Sequence, residues 1–166
     1  MSNGTKVVKR NGQKELLDLN KLHVMVEQAC KDLAGVPASQ VEIQSGIQFY
    51  DGITTEEIQE ILIRSASDLI DLDHPNYQFV AARLLMFALR KQLLGHMHEF
   101  PTLYKHLERC IGCGVYDPEI LPLYTYEEFE KMESYMDHDR DYLFTYAGLR
   151  QVVDKYLVQD GSTGQV

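Results

Sequence analysis

The 166 residues contain no tryptophan, three cysteines, five prolines and no apolar run approaching a membrane span. Three cysteines are too few, and odd in number, for a secreted disulfide scaffold. A bilayer helix needs about 20 consecutive apolar residues, so no transmembrane segment is expected. Met1-Ser2-Asn3-Gly4-Thr5-Lys6 has no apolar stretch of the kind that directs export. Eleven glycines beside five prolines are too few for a low-complexity chain, and 45% hydrophobic with 25% charged residues is a globular composition. Positive charge is also in deficit: 16 basic against 25 acidic side chains leave a net charge of −9. That balance argues against general coating of nucleic acid or membrane. The expectation is a soluble cytoplasmic protein of one domain, or of a small domain with an extension.

The charge that is present is unevenly placed. Residues 1–95 carry ten basic and twelve acidic side chains, whereas residues 96–166 carry six and thirteen. Inside the first segment Lys6, Lys9, Arg10, Lys14 and Lys21 face only Glu15 and Asp18 within residues 1–21. A basic island in an acidic chain invites a local anion, although exposed lysine clusters are commonly plain solvated surface.

Hydrophobic periodicity predicts a mainly α-helical chain. Residues 6–19 read as a β-hairpin turning at Asn11-Gly12, a pair suited to two central positions of positive φ. Asn20 is an eligible N-cap for a helix over Lys21–Leu33, which Ala34-Gly35-Val36-Pro37 stops. A second helix begins at Ser39, carries Val41, Ile43, Ile47 and Tyr50, and closes at Asp51-Gly52. Thr54 followed by Glu57 is a capping box for a third helix. Pro75 suits the first turn of a fourth, running to about Gly95, with Arg83, Arg90 and Lys91 as its cations. This compact unit, residues 1–95, is followed in residues 96–166 by helices over Pro101–Arg109, Tyr126–Met136 and Phe144–Leu157. Residues 160–166 read as a turn with a strand beginning.

No Gly-x-x-x-x-Gly-Lys-Ser/Thr loop occurs, and Gly112-Cys113-Gly114 lacks the third glycine of a dinucleotide fingerprint. An anion must be held another way. The capped helix start at Thr54–Glu57 offers backbone N–H groups and a hydroxyl, although most capping boxes merely cap. Lys9 and Lys21 from the two ends of the hairpin, with Lys91 from the end of the fourth helix, form a set of cations fit for a triphosphate. Glu15 and Asp18 among them suit a sugar or base, accepting from hydroxyl or amino groups.

Other clusters read as structural. Cys110 and Cys113 have redox or metal spacing but neither a second cysteine pair nor a preceding βαβ unit. His96 and His98 at i, i+2 point apart on a helix; with His106 nearby they remain more simply solvated. Asp137-His138-Asp139-Arg140-Asp141 alternates in sign, which favours salt bridges within the cluster. No nucleophile–histidine–acid arrangement stands out, so no catalytic or metal-ligating residue is assigned.

Several ordered blocks carry a family resemblance. Lys9-Arg10-Asn11-Gly12, Glu15-x5-Lys21, Gln48-Phe49-Tyr50-Asp51-Gly52-Ile53-x-Thr55, Asn76-Tyr77-Gln78, Ala81-Ala82-Arg83-Leu84 and Leu89-Arg90-Lys91 resemble an ATP-cone. Lys105-His106, Tyr116-Asp117, Tyr126-Glu127-Glu128-Phe129, Asp137–Asp141 and Lys155-Tyr156-Leu157-Val158 extend the resemblance across the chain, to the amino-terminal part of class Ia ribonucleoside-diphosphate reductase large (α) subunits. It implies a four-helix bundle with an N-terminal β-hairpin lid over residues 1–95. Residues 96–166 would then be the helical start of the reductase domain, leading toward an α/β barrel beyond this chain.

The function implied is an overall-activity domain that binds ATP or dATP, with Mg2+, and controls reduction of ribonucleoside diphosphates. The implied nucleotide-binding residues are Lys9, Arg10, Glu15, Leu16, Leu17, Asp18, Leu19, Asn20, Lys21, Thr55, Gln59 and Lys91. Gln59 stands where many dATP-responsive cones have histidine, and Asp18 where they often have asparagine. The implied partners are the remainder of the large subunit, the radical-bearing small subunit and further copies in an oligomer. The family's radical and reducing cysteines do not match Cys30, Cys110 or Cys113, so this chain alone is expected to catalyse nothing. Two alternatives follow: a helical docking module without nucleotide response, and a cone-bearing transcription repressor. The second requires a cysteine-rich zinc ribbon that the sequence lacks.

Overall fold

The computed structural model describes residues 5–46, 48–95 and 99–158. The chain runs β1 (Lys6–Val8), β2 (Lys14–Leu16), α1 (Leu19–Cys30), α2 (Ala38–Gly46), β3 (Ile53–Thr54), α3 (Thr55–Asp68) and α4 (Tyr77–Leu94). It continues through α5 (Leu103–Gly112), a 3-10 helix (Pro118–Leu123), α6 (Tyr126–Glu133), a second 3-10 helix (His138–Leu143) and α7 (Tyr146–Lys155). The architecture is mainly α, a helical bundle with an N-terminal hairpin followed by further helices.

The hairpin is shorter than the sequence suggests, and its turn is of another type. Lys9 N–H donates to Gln13 O and Gly12 N–H to Lys9 O, both at 2.8 Å. Gly12 has φ +78°, whereas Asn11 stays on the negative side. This is a three-residue loop with glycine in the left-handed bulge position, not a two-residue turn. Asn11 instead uses its side-chain oxygen to accept the Gln13 N–H.

A third strand joins this hairpin, unannounced by periodicity because it is only two residues long. The sheet order is β2-β1-β3, with Val7 opposite Glu15 on the antiparallel side and opposite Ile53 on the parallel side. Lys6 N–H donates to Asp51 Oδ1 and Gly52 N–H donates to Lys6 O, so the Asp51-Gly52 turn stitches the N-terminus to the bundle.

Several helix boundaries move, most clearly those of α1 and α2, and α4 starts at Tyr77, beyond Pro75. Asp18, not Asn20, caps α1, its carboxylate accepting from the N–H groups of Asn20 and Lys21. Both residue types make good N-caps, and the strand ending at Leu16 brings the chain to Asp18 first. At the far end α1 stops at Cys30, and Asp32 takes a left-handed φ of +61°. Helix α2 ends at Gly46 rather than continuing to Tyr50; Ile47 lies outside the described residues. Tyr50 donates its hydroxyl hydrogen to Glu57, while Ile43 is left 66% exposed.

The capping box of α3 forms as read, Glu57 N–H reaching Thr54 Oγ1 while Thr54 N–H reaches the Glu57 carboxylate. Those bonds hold the Glu57 carboxyl below its ordinary pKa, the Thr54 backbone contributing most. Thr54→Ala is expected to cost about 1 kcal/mol of stability, the usual value of a lost cap. An unchanged urea midpoint would contradict that role.

Helix α4 is buried on most of its circumference, as a helix at the centre of a bundle must be. It packs against α1 and α3 on one side, and against α7 and the 3-10 helix His138–Leu143 on the other. Its own Tyr77, Val80 and Phe87 are fully buried with Val26, Ile53 and Leu62, and Leu149 brings α7 into the same core. A satellite aromatic cluster joins α5 to α6, where Tyr104 meets Tyr126 at 5.4 Å and Phe129 at 5.5 Å between centroids.

The acidic cluster departs from the expected internal pairing. Asp137 caps its own 3-10 helix, and Asp141 instead binds Arg90 of α4 at 2.7 Å. Arg90 is therefore not a solvated helix-end cation but a buried one. His96, His98 and residues 160–166 lie outside the described residues. Among the described residues no three histidine, cysteine or acidic side chains are grouped as a metal site, and no helix is long and apolar enough to cross a membrane.

Candidate functional site

A cavity of about 740 Å3 opens between the hairpin and the bundle. Lys9, Arg10 and Asn11 come to it from the hairpin turn, Val7, Glu15 and Leu17 from its arms, and Asp18 from the cap of α1. Helix α1 adds Asn20, Lys21, Leu22, Val24, Met25 and Gln28; α3 adds Thr55, Ile58 and Gln59; α4 adds Lys91.

Ten of the twelve residues implied by resemblance thus border one space. Leu16 and Leu19 do not. Side chains alternate along a strand, so Glu15 and Leu17 facing inward turn Leu16 outward, where it is 63% exposed. Leu19 borders a second cavity of about 570 Å3 between α1 and α2, beside His23, Glu42, Ile43 and Phe49.

Three of the four cations already have carboxylate partners. Lys9 Nζ lies 2.7 Å from Glu15, Lys21 Nζ lies 3.8 Å from Asp18, and Arg10 pairs through Nε with Glu56. Arg10 also donates from Nη1 to the backbone oxygen of Lys91 at 3.2 Å, fastening the hairpin tip to the end of α4. The Glu15 carboxyl is held below its ordinary pKa, chiefly by the hydrogen bond from Lys9, with partial desolvation opposing. Among the described residues no carboxylate lies within ion-pair distance of the Lys91 ammonium.

At the start of α3 the Thr54 hydroxyl is committed to the capping box, and the hydroxyl bordering the cavity is that of Thr55, bonded to Glu56. Opposite the charged rim, Leu17, Leu22, Met25 and Ile58 form an apolar wall. Of these, Leu17 is among the residues the resemblance implies, whereas Leu22, Met25 and Ile58 have the spacing of an ordinary core stripe. A helical wheel centred on Lys21 finds Met25 at i+4 and Gln28 at i+7 on its face, but neither Leu22 at i+1 nor Ile58 on α3. Gln59 is buried at the cavity edge.

Across the second cavity, His23 joins the helices, its Nδ1 2.6 Å from Glu42 and its Nε2 3.2 Å from Glu27. Its pKa is raised, first by the Glu42 hydrogen bond and then by the Glu27 charge. A histidine whose folded pKa is raised lends its full stabilisation below the unfolded value and loses it as pH climbs through the folded one. Titration by NMR is expected to place His23 above the ordinary histidine range, and Glu42→Gln to bring it part of the way back, Glu27 still raising it; a normal midpoint in the native chain would refute the link.

Comparison with known sequences fits this geometry. The family described as the ATP cone domain matches residues 5–92, and the chain belongs to that family. All 166 residues are 46% identical to the Escherichia coli protein named ribonucleoside-diphosphate reductase 1 subunit alpha, within its N-terminal region. The alpha subunit of Enterobacteria phage T4 is 40% identical over 162 residues, and that of Helicobacter pylori 37% identical over 161. The chain spans about a fifth of the length of these relatives: 22%, 21% and 20% respectively.

Proposed function

We propose that this chain is the nucleotide-sensing regulatory region of a ribonucleoside-diphosphate reductase large subunit. It binds ATP or dATP in the hairpin cavity and thereby controls reduction of ribonucleoside diphosphates to deoxyribonucleotides for DNA synthesis. The observation that carries the reading is that Lys9, Arg10, Lys21 and Lys91, from three separate elements, border one cavity with an apolar wall. The wall suits a purine face; Asp18, Asn20, Gln28 and Gln59 supply acceptors and donors for its amino group and for ribose hydroxyls.

Charge accounting brings in the metal. Four cations less the lining carboxylates Glu15 and Asp18 leave a cavity short of the roughly four negative charges on a triphosphate. Mg2+ makes up such a deficit through phosphate oxygens and at most one or two carboxylates. Glu15 and Asp18 are oxygen donors of the right kind, though each already meets a lysine.

In this reading residues 1–95 are the regulatory cone, and residues 96–166 lead toward a catalytic body carried elsewhere. The partners are that body, the radical-bearing small subunit and further copies in an oligomer; the setting is the cytoplasm. One observation favours a second reading, a docking module indifferent to nucleotide: three of the four cations are already neutralised by carboxylates. Calorimetry with Mg-ATP and Mg-dATP separates the two. The regulatory reading expects dissociation constants of about 1–100 µM. Absence of binding to either nucleotide would replace it with the docking module.

A further inference from the structure

Arg90 and Lys91 are sequence neighbours with separate destinations. Residues one apart on a helix point about 100° apart; Lys91 borders the cavity, while Arg90 turns into the contact with residues 99–158. There the buried Arg90 guanidinium donates to Asp141 at 2.7 Å and lies 4.6 Å from the Phe100 ring centroid and 5.6 Å from that of Tyr142. Among the described residues its Nε has no hydrogen-bond partner, and the side chain is held by the Asp141 carboxylate and by ring faces.

Arg83, two turns earlier on α4, does something parallel. Its Nη1 donates to the backbone oxygens of Ala29 and Lys31, at 3.0 and 2.6 Å, gripping the last turn of α1. Its guanidinium carbon also sits 5.2 Å from the centroid of the same Tyr142 ring. The first turn of α1 carries Asp18, Asn20 and Lys21 to the cavity. Two of the three helices that border the cavity, α4 directly and α1 through Arg83, are therefore tied to the pair Asp141-Tyr142.

We infer that the 3-10 helix His138–Leu143 is the output element of the cavity, and that Arg90 with Asp141, and Arg83 with Tyr142, are positioning contacts passing its occupancy into residues 99–158. The inference rests on the nucleotide reading above. Polyphosphate drawing on Lys21 and Lys91 acts on the start of α1 and the end of α4. Packed helices transmit such displacement because they do not deform continuously. A buried guanidinium cannot leave its carboxylate without being stranded, so the Arg90 joint moves as a unit. The resulting coupling is a differential affinity between two arrangements of the same contacts.

Hydrogen exchange on the full 166-residue chain tests this, read in α7, which borders no part of the cavity. Saturating Mg-ATP is expected to slow exchange there about fivefold in the native chain, at the low end of ordinary coupling. In Arg90→Met, and in the milder Asp141→Asn, the response falls below about twofold while calorimetric affinity stays within about threefold. Arg90→Lys, which keeps the charge, restores part of it. A native chain that binds ATP with no change in α7, or a full response in both weakened variants, overturns the inference and leaves the nucleotide reading standing. Failure of the native chain to bind ATP overturns both.

Discussion

Single replacement of Lys9, Lys21 or Lys91 by methionine is expected to weaken ATP binding about tenfold each, and the triple replacement to take it beyond calorimetric reach. One partly solvated ammonium–phosphate contact is worth about 1.4 kcal/mol, which is tenfold in affinity. The three lysines are not equivalent. Lys91 has no carboxylate in ion-pair reach among the described residues, so its removal subtracts one attraction only. Removing Lys9 also releases Glu15, whose negative charge then faces the phosphates without its partner. Lys9→Met should therefore be the most damaging of the three, and adding Glu15→Gln should recover part of the loss. Affinity unchanged from that of the native chain in all three single variants would remove the cavity from consideration as a nucleotide site.

Asp141→Ala is expected to lower stability by about 3 kcal/mol, and the thermal midpoint by about 10 °C for a domain of this size. The cause is not the loss of an attraction but the abandonment of a cation. Arg90 is 6% exposed, and without Asp141 its guanidinium keeps no oxygen acceptor among the described residues while remaining largely away from water. Arg90→Met behaves differently, because a thioether of similar length fills the space beside Phe100 and Tyr142 and strands only a carboxylate with access to solvent. The cost of Arg90→Met should stay near 1 kcal/mol, and the double variant should be no worse than Asp141→Ala alone. Chemical denaturation of the four proteins decides it. Equal losses for the two single changes would mean that the pair is an ordinary surface bridge.

What the sequence reveals of this molecule tracks how local each cause is. The capping box at Thr54 and Glu57 spans four residues, and its geometry follows from them alone. The Asn11-Gly12 turn falls at the expected place, but its type depends on the register of the flanking strands, and only Gly12 takes positive φ. Asp18 and Asn20 are equally good caps on paper; the hairpin's exit chooses between them. Strand β3 is two residues long and exists only because β1 offers it an edge.

The candidate site divides in the same way. Lys9 and Lys21 stand out in a basic island of an acidic chain, Lys91 stands apart at the end of the fourth helix, and family likeness selects all three. The apolar wall is hidden, since Leu22, Met25 and Ile58 carry the spacing of any buried stripe. The Arg90–Asp141 joint is the least legible feature: the partners are 51 positions apart, and a charge near a helix end ordinarily reads as solvated.

The order of the small sheet has a bearing on how such a unit can be shortened. Because β1 lies between β2 and β3, residues 6–8 form the keystone of the sheet and not a detachable flap. Trimming them would leave two unpartnered edges, uncover Ile53 ahead of α3, and free the tip that Arg10 pins to α4. Natural or engineered shortening of this module should therefore come from internal loops, with the leading segment among the last parts that can be discarded.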